Sequence, residues 1–152
     1  GVLSAFALPR FANLTSDANE ATLDALEGAI KSASSIVYTQ AFLQGVQNLA
    51  TSTVDLDGDG TGDINVEYGY PSDDRANGIV LAMSDNFASE WAWSTRNGPQ
   101  RVVIASSKTS VNGPVGEKVN NVPITTNNCY LTYIGAAAVG AQPTITRVTS
   151  GC

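Results

Sequence analysis

The sequence predicts an α+β protein with a long N-terminal α-helix packed against a C-terminal antiparallel β-sheet of three to four strands. Three observations favour this fold class. Apolar or small residues recur at helical spacing through the first 50 of the 152 residues, turn residues and acids follow, and β-branched patterns fill the remainder. We therefore expect one structural domain, comprising an N-terminal helix at 1–50 and a globular head at 51–152.

The N-terminal segment carries two apolar stripes. The first follows one helical face, and the second widens it; their members are Phe11, Leu14, Ala18, Ala21, Ala25, Ala29, Ala33 and Val37, then Leu23, Leu26, Ile30, Phe42 and Val46. A helix that is apolar on more than one side needs more than one packing partner. Pro9 is expected to break or kink this helix, because it lacks a backbone donor. The apolar segment 1–8 is too short to cross a bilayer, so we expect it to end a longer apolar helix.

The head begins with acids and turns and ends in strands. Half of all the acids lie within 51–78, which we expect to be a variable loop. The apolar run at 79–83 favours a short helix that begins near Ser72. Strand patterns follow at 101–106, 125–134 and 144–149.

The composition excludes several kinds of chemistry. The chain has no histidine, which removes His-dependent triads, His-ligated metals and the usual general base near neutral pH. We therefore expect no enzyme activity. The net charge of −6 argues against a nucleic-acid partner.

The two cysteines, Cys129 and Cys152, are expected to form a disulfide; the alternative is a pair of free thiols. The bond would close a loop of about 24 residues and stabilise the fold by roughly 3 kcal/mol. Such a bond indicates an oxidising compartment.

The sharpest local motif is the acidic run at 55–63. Asp55, Asp57, Asp59, the Thr61 carbonyl and Asp63 occupy positions 1, 3, 5, 7 and 9 of an EF-hand-type calcium loop, with Gly60 at position 6. Position 12 should be a bidentate acid but is Val66, and Glu67 comes one residue late. We predict a calcium site with Glu67 as a further ligand; the alternative is a solvated Asp-Gly turn region.

Two aromatic residues and several helix charges are weaker candidates. Trp91 and Trp93 would share a face of a strand, where exposed tryptophans could stack on a host or surface carbohydrate. We favour one tryptophan in the core and one covering the sheet edge. Glu27 and Lys31 should form an ordinary helix pair. Glu20 and Asp24 either meet a cation of a neighbouring subunit, such as Arg10, or face solvent.

The chain resembles the type IV pilins, and more narrowly the MSHA-type major pilins of marine gammaproteobacteria. Its first third is similar to the rear part of the pilin helix in the spacing of Gly1 and Pro9, in Pro-Arg-Phe at 9–11 and in Ala-Leu-Glu-Gly-Ala-Ile-Lys at 25–31. Tyr-Gly-Tyr-Pro at 68–71 and the frame from Cys-Tyr-Leu-Thr-Tyr at 129–133 to Thr-Ser-Gly-Cys at 149–152 extend the resemblance over nearly the whole chain. The family's cleavage site, methylated first residue and conserved glutamate would lie upstream of Gly1.

The resemblance implies the pilin fold and a mechanical function. The chain would be a major subunit of an extracellular type IV pilus serving attachment, biofilm formation or motility, held in the inner membrane before assembly. Its partners would be identical subunits and the inner-membrane assembly machinery, with Phe6, Leu8, Phe11, Leu14 and Ala18 packing the filament. Helix loss between Gly1 and Pro9 would let the filament extend; alternatively, Pro9 only kinks the helix. The alternative function is a minor pilin or a type II secretion pseudopilin with a calcium-stabilised loop, because related pseudopilins use calcium in loops.

Overall fold

The computed structural model describes the chain at 2–74, 77–83, 87–96, 102–107, 116–117 and 122–152. Within these ranges, side chains are described at 15–95 and 123–152, except at 88 and 89. The elements in chain order are α1 Val2–Leu43, β1 Ser52–Val54, β2 Ile64–Glu67, β3 Tyr70–Pro71, α2 Ile79–Ala82, α3 Phe87–Glu90, β4 Trp91–Arg96, β5 Val102–Ser107, β6 Gly116–Glu117, α4 Val122–Thr125, β7 Tyr130–Ile134 and β8 Thr144–Val148. The protein is therefore α+β, with one long helix before two sheets.

Helix α1 is 42 residues long, or about 63 Å, and it continues through Pro9. It ends in a Schellman motif at Gly45, whose φ of +74° suits glycine. The Val46 N–H donates to the Ala41 carbonyl, and the Gly45 N–H donates to the Phe42 carbonyl. The sequence-based boundary near residue 50 was too late, because Gly45 turns the chain out of the helix.

The head-facing side of α1 combines Leu23, Leu26 and Ile30 of the second predicted stripe with Val37 of the first, whereas Phe42 of the second stripe is 60% exposed. Leu23, Leu26 and Ile30 are buried in one cluster with Ile79, Phe87, Trp91, Trp93, Cys129, Leu131 and Tyr133. Val37 and Ala41 are buried in a second cluster with Val54, Ile64 and Val66. One helix face thus covers both parts of the head.

The strands of the head that the structure describes form two sheets. Strands β1, β2 and β3 form a three-stranded antiparallel sheet within the segment that the sequence predicted to be a variable loop. The second sheet has the order β6-β4-β5-β7-β8, in which only β6 pairs in parallel. Alternation in β2 buries Ile64 and Val66 beneath α1, a signal that the neighbouring acids obscured.

Two further sequence predictions meet different outcomes. Cys129 and Cys152 form the predicted disulfide, with an S–S distance of 2.10 Å. Trp91 and Trp93 share one face of β4, but both are buried, with 9% and 6% exposure. Neither tryptophan is therefore available to stack on a sugar.

Within the described residues, we find no helix with the length and apolarity needed to span a membrane.

Candidate metal centre

The acidic run forms the loop of a β-hairpin. Strand β1 ends at Val54, strand β2 begins at Ile64, and these two residues are paired across the hairpin. The nine intervening residues therefore close on themselves, and the Asp63 N–H donates to the Val54 carbonyl at 2.8 Å. The flanks are strands, so this is an EF-hand-like spacing outside the helix–loop–helix of a true EF-hand.

Hydrogen bonds between the backbone and the carboxylates shape the loop. Six consecutive backbone N–H groups, from Leu56 to Thr61, donate to aspartate oxygens of the loop at 2.7 to 3.4 Å. Asp55 alone accepts three of these bonds, including those from Gly58 and Gly60 at 2.7 Å. Both glycines have a positive φ, so the tight loop places them where L side chains are strained.

Four carboxylates converge in this loop. Asp55, Asp57, Asp59 and Asp63 each offer one oxygen, and these four atoms lie within 4.8 Å of one another. Calcium binds oxygen at 2.3 to 2.6 Å, so two ligands of one ion are at most about 5 Å apart. The donor set and its spacing therefore fit a calcium ion, which would complete its shell with the Thr61 carbonyl or water.

Glu67 does not join these four aspartates. It lies on β2, and a side chain at Gly135 would collide with its carboxylate. Val66, at position 12 of the loop, is 1% exposed and packs in the second core cluster. The hairpin thus returns to strand before position 12, and no bidentate acid closes the loop.

The carboxylates do not titrate alike. The hydrogen bond from the Gly60 N–H is the main cause that lowers the pKa of Asp55. For Asp57, the Asp59 N–H lowers the pKa, but desolvation, Asp55 and the charges of Asp59 and Asp63 together raise it more. The net pKa of Asp57 is therefore raised, as expected for an acid among like charges.

A glutamine from the helix end holds the start of the loop. The Gln44 amide donates to the Asp55 carbonyl at 2.7 Å, and the Gln44 carbonyl oxygen accepts from the Asp55 N–H at 3.0 Å. This two-point contact joins the end of α1 to the first ligand position. Sequence reasoning missed it, because the two residues are eleven positions apart and belong to no motif.

The predicted contacts of the charged side chains of α1 are confirmed in part. Lys31 and Glu27 form the expected pair, at 3.6 Å. Asp24 meets Arg147 at 3.3 Å, and Arg147 also reaches Glu27 at 3.5 Å. Nothing local in the sequence signals these contacts, which depend on the position of β8 beside α1.

The residues predicted to pack a filament lie at the start of α1. Ala18 is exposed. Gly1 lies outside the described residues, as do the side chains of the others, Phe6, Leu8, Pro9, Phe11 and Leu14. These assignments remain predictions.

Comparisons with family models, curated proteins and solved structures found no match to this chain.

Proposed function

We propose that this protein is the major structural subunit of an extracellular type IV pilus, and that it has the pilin fold. The observation that carries the proposal is the exposed face of α1. Between residues 15 and 43 the charged residues are only Asp17, Glu20, Asp24, Glu27 and Lys31, which fall on one flank spanning about 80° of the helix.

The face opposite the head carries no charge between residues 15 and 43. Its exposed residues are small or apolar and include Ala18, Ala21, Ala25, Gly28, Ala29, Ser32, Ile36 and Leu43. Small side chains let helices approach closely, and Ile36 and Leu43 are 65% and 71% exposed. An uncharged helix face of this length suits contact with identical helices in a repeating assembly.

The first part of α1 supports the same function. Among the side chains of α1 that the structure describes, the first buried one is Leu23, and those from Thr15 to Thr22 are exposed or half-buried. The helix therefore extends beyond the part that the head covers. In the filament, this extension and Gly1 to Pro9 would pack in the interior, with inner-membrane insertion before assembly.

Filament formation can be tested with a matched pair of charge insertions. Ala25→Glu places a carboxylate on the uncharged face, and Ala138→Glu places the same group on an exposed loop of the head. In cells producing each variant, we expect Ala138→Glu but not Ala25→Glu to appear in the sheared surface fraction, with both monomers melting like the wild type. Normal filaments from Ala25→Glu would contradict the proposed interface.

The alternative function is a minor pilin or a type II secretion pseudopilin, favoured by the aspartate loop. In that case the wild-type chain would stay with the cell envelope after shearing. A dominant band of this chain in the sheared fraction would exclude the alternative. Either function needs an oxidising compartment, in keeping with the disulfide.

We also propose that the aspartate loop binds calcium. Bound ion would offset the repulsion among four carboxylates, and no ion pair of the described residues involves them. We expect heat of binding in calorimetry at millimolar calcium and a lower melting temperature after chelation. Asp59→Asn should weaken binding, whereas Asp17→Asn, an exposed acid outside the loop, should not. Absence of binding heat together with an unchanged melting temperature would refute this proposal.

A further inference from the structure

A cleft of about 530 Å³ separates α1 from the start of β8. Its lining comes from α1 between Glu27 and Ser35, from Tyr70 of β3 and from residues 142–145 around the start of β8. The volume is within the range of small-molecule sites, about 300 to 1,000 Å³. None of these residues belongs to the aspartate loop.

The charges of the cleft lining balance. The charged residues in the lining are Glu27 and Lys31, which pair with each other at 3.6 Å, and Arg147 bridges Glu27 to Asp24 beside it. The lining therefore has no net charge and offers no surplus counter-charge to a phosphate, a carboxylate or an ammonium group. The cleft therefore favours a neutral ligand.

The polar groups in the lining are mainly hydroxyls and amides. Ser35, Thr144 and Gln142 are exposed and can both donate and accept hydrogen bonds. Desolvation and the neighbouring Tyr38 raise the pKa of Tyr70, so its phenol stays a donor at neutral pH. A ligand with many hydroxyls could match donors and acceptors of this kind.

Apolar surface is present on two sides of the cleft. The Tyr70 ring stacks on Tyr38, with centroids 4.5 Å apart, which holds it as a rigid wall. Pro143 and Ile145, around the start of β8, add apolar surface to the lining. The C–H faces of a sugar ring are apolar and its edges carry hydroxyls, so a sugar matches both parts of this lining.

We propose that this cleft binds a neutral saccharide. The site is distinct from the buried tryptophans and does not depend on filament formation. Gln142 and Ser35 are the residues whose side chains would contact the sugar hydroxyls, and Tyr70 supplies the aromatic wall. The site opens on the side of α1 that carries Lys31, so it is accessible in the single subunit.

Backbone amide shifts of the full chain can test the site. The probes are glucose, galactose, N-acetylglucosamine and maltotriose, with glucuronate and glucosamine as charged counterparts, each at millimolar concentration. We expect saturable shifts at Ser34, Ser35, Thr144 and Ile145 with at least one neutral probe, and weaker binding of the charged sugars. The absence of saturable shifts there with every neutral probe would overturn the proposal, as would tighter binding of a charged sugar.

Three variants locate the binding. Gln142→Ala should weaken it about three- to tenfold, the effect of losing one or two neutral hydrogen bonds. Ser35→Trp should fill the cleft and abolish binding, whereas Ser32→Trp, an exposed serine on the same helix outside the cleft, should leave it unchanged. Dispersed amide spectra would show that the variants fold. Equal loss with Ser32→Trp, or full affinity in Gln142→Ala and Ser35→Trp, would place the sugar elsewhere.

Discussion

Removing the disulfide should destabilise the fold by a calculable amount. Cys129 and Cys152 are 23 positions apart, so the bond closes a loop of about 24 residues in the unfolded chain. The chain-entropy model gives roughly 3.4 kcal/mol for such a loop at 25 °C. For a chain of this length, that loss lowers the melting temperature by about 7 to 14 °C.

Loss of the disulfide should first loosen β8 and the segment that follows it. The disulfide holds the segment that follows β8 against the fully buried Cys129. The Asn19 side chain donates to the Cys152 backbone oxygen at 3.0 Å, which ties the same segment to α1. Without the bond, we expect fast hydrogen exchange in β8 before the rest of the sheet.

Urea unfolding of three samples would measure the effect. These are the oxidised protein, the reduced protein and the Cys129→Ala/Cys152→Ala variant; the reduced protein separates the cross-link from the packing of the sulfur atoms. We expect a lower midpoint and a steeper denaturant dependence in both uncrosslinked samples, because their unfolded chains expose more surface. A loss below about 1 kcal/mol with an unchanged slope would refute the entropic reasoning.

Three other predictions concern the core and the loop. Leu26→Ala should cost about 2 to 5 kcal/mol in urea unfolding, whereas Leu43→Ala, at a 71% exposed position, should change stability by less than about 0.5 kcal/mol. Tyr133→Phe removes the hydroxyl that donates to the Pro71 carbonyl and should lower the free energy of unfolding by about 1 to 3 kcal/mol. The control is Tyr130→Phe, which should leave the free energy of unfolding nearly unchanged, because the Tyr130 hydroxyl makes no hydrogen bond to the described residues. On acidification, carboxyl carbon shifts should show Asp57 taking up its proton first, at a pH above 3.8, while Asp55 stays ionised until below 3.8. The pKa of Asp55 is lower in the folded protein than in the unfolded chain, so the ionised Asp55 stabilises the fold above the unfolded pKa. This stabilisation is lost as the pH falls through the pKa of the folded protein. If Asp55 and Asp57 titrated at the same pH, that result would contradict the described hydrogen bonds.

The fold class followed from patterns that local physics controls. The spacing of Leu23, Leu26, Ile30 and Val37 marks a helix face, and the β-branched runs mark β5, β7 and β8 within a residue or two at most ends. Strand β7 is the exception, since the sequence-based strand began at 125 and the structure has α4 there, followed by a turn to Asn128 with φ +49°.

The remainder depends on distant partners. Strands β1 to β3 are two to four residues long and become strands because α1 covers Val54, Ile64 and Val66. The four aspartates follow directly from their spacing, because alternate residues of a tight loop converge. The position of the Glu67 side chain could not be predicted from this spacing, because its direction depends on which face of β2 it occupies.

The shared helix has a consequence for how the molecule unfolds. Leu23 to Ile30 complete the core of the five-stranded sheet, Val37 and Ala41 complete that of the three-stranded sheet, and Ala82 packs against both clusters. Among the described residues, the one buried cluster that α1 does not enter is small and consists of Ala92 and Ile124, with Tyr130 packed against them. The two sheets should therefore lose structure in a single cooperative transition, and a protease cut within 31–36 of α1 would release both at once.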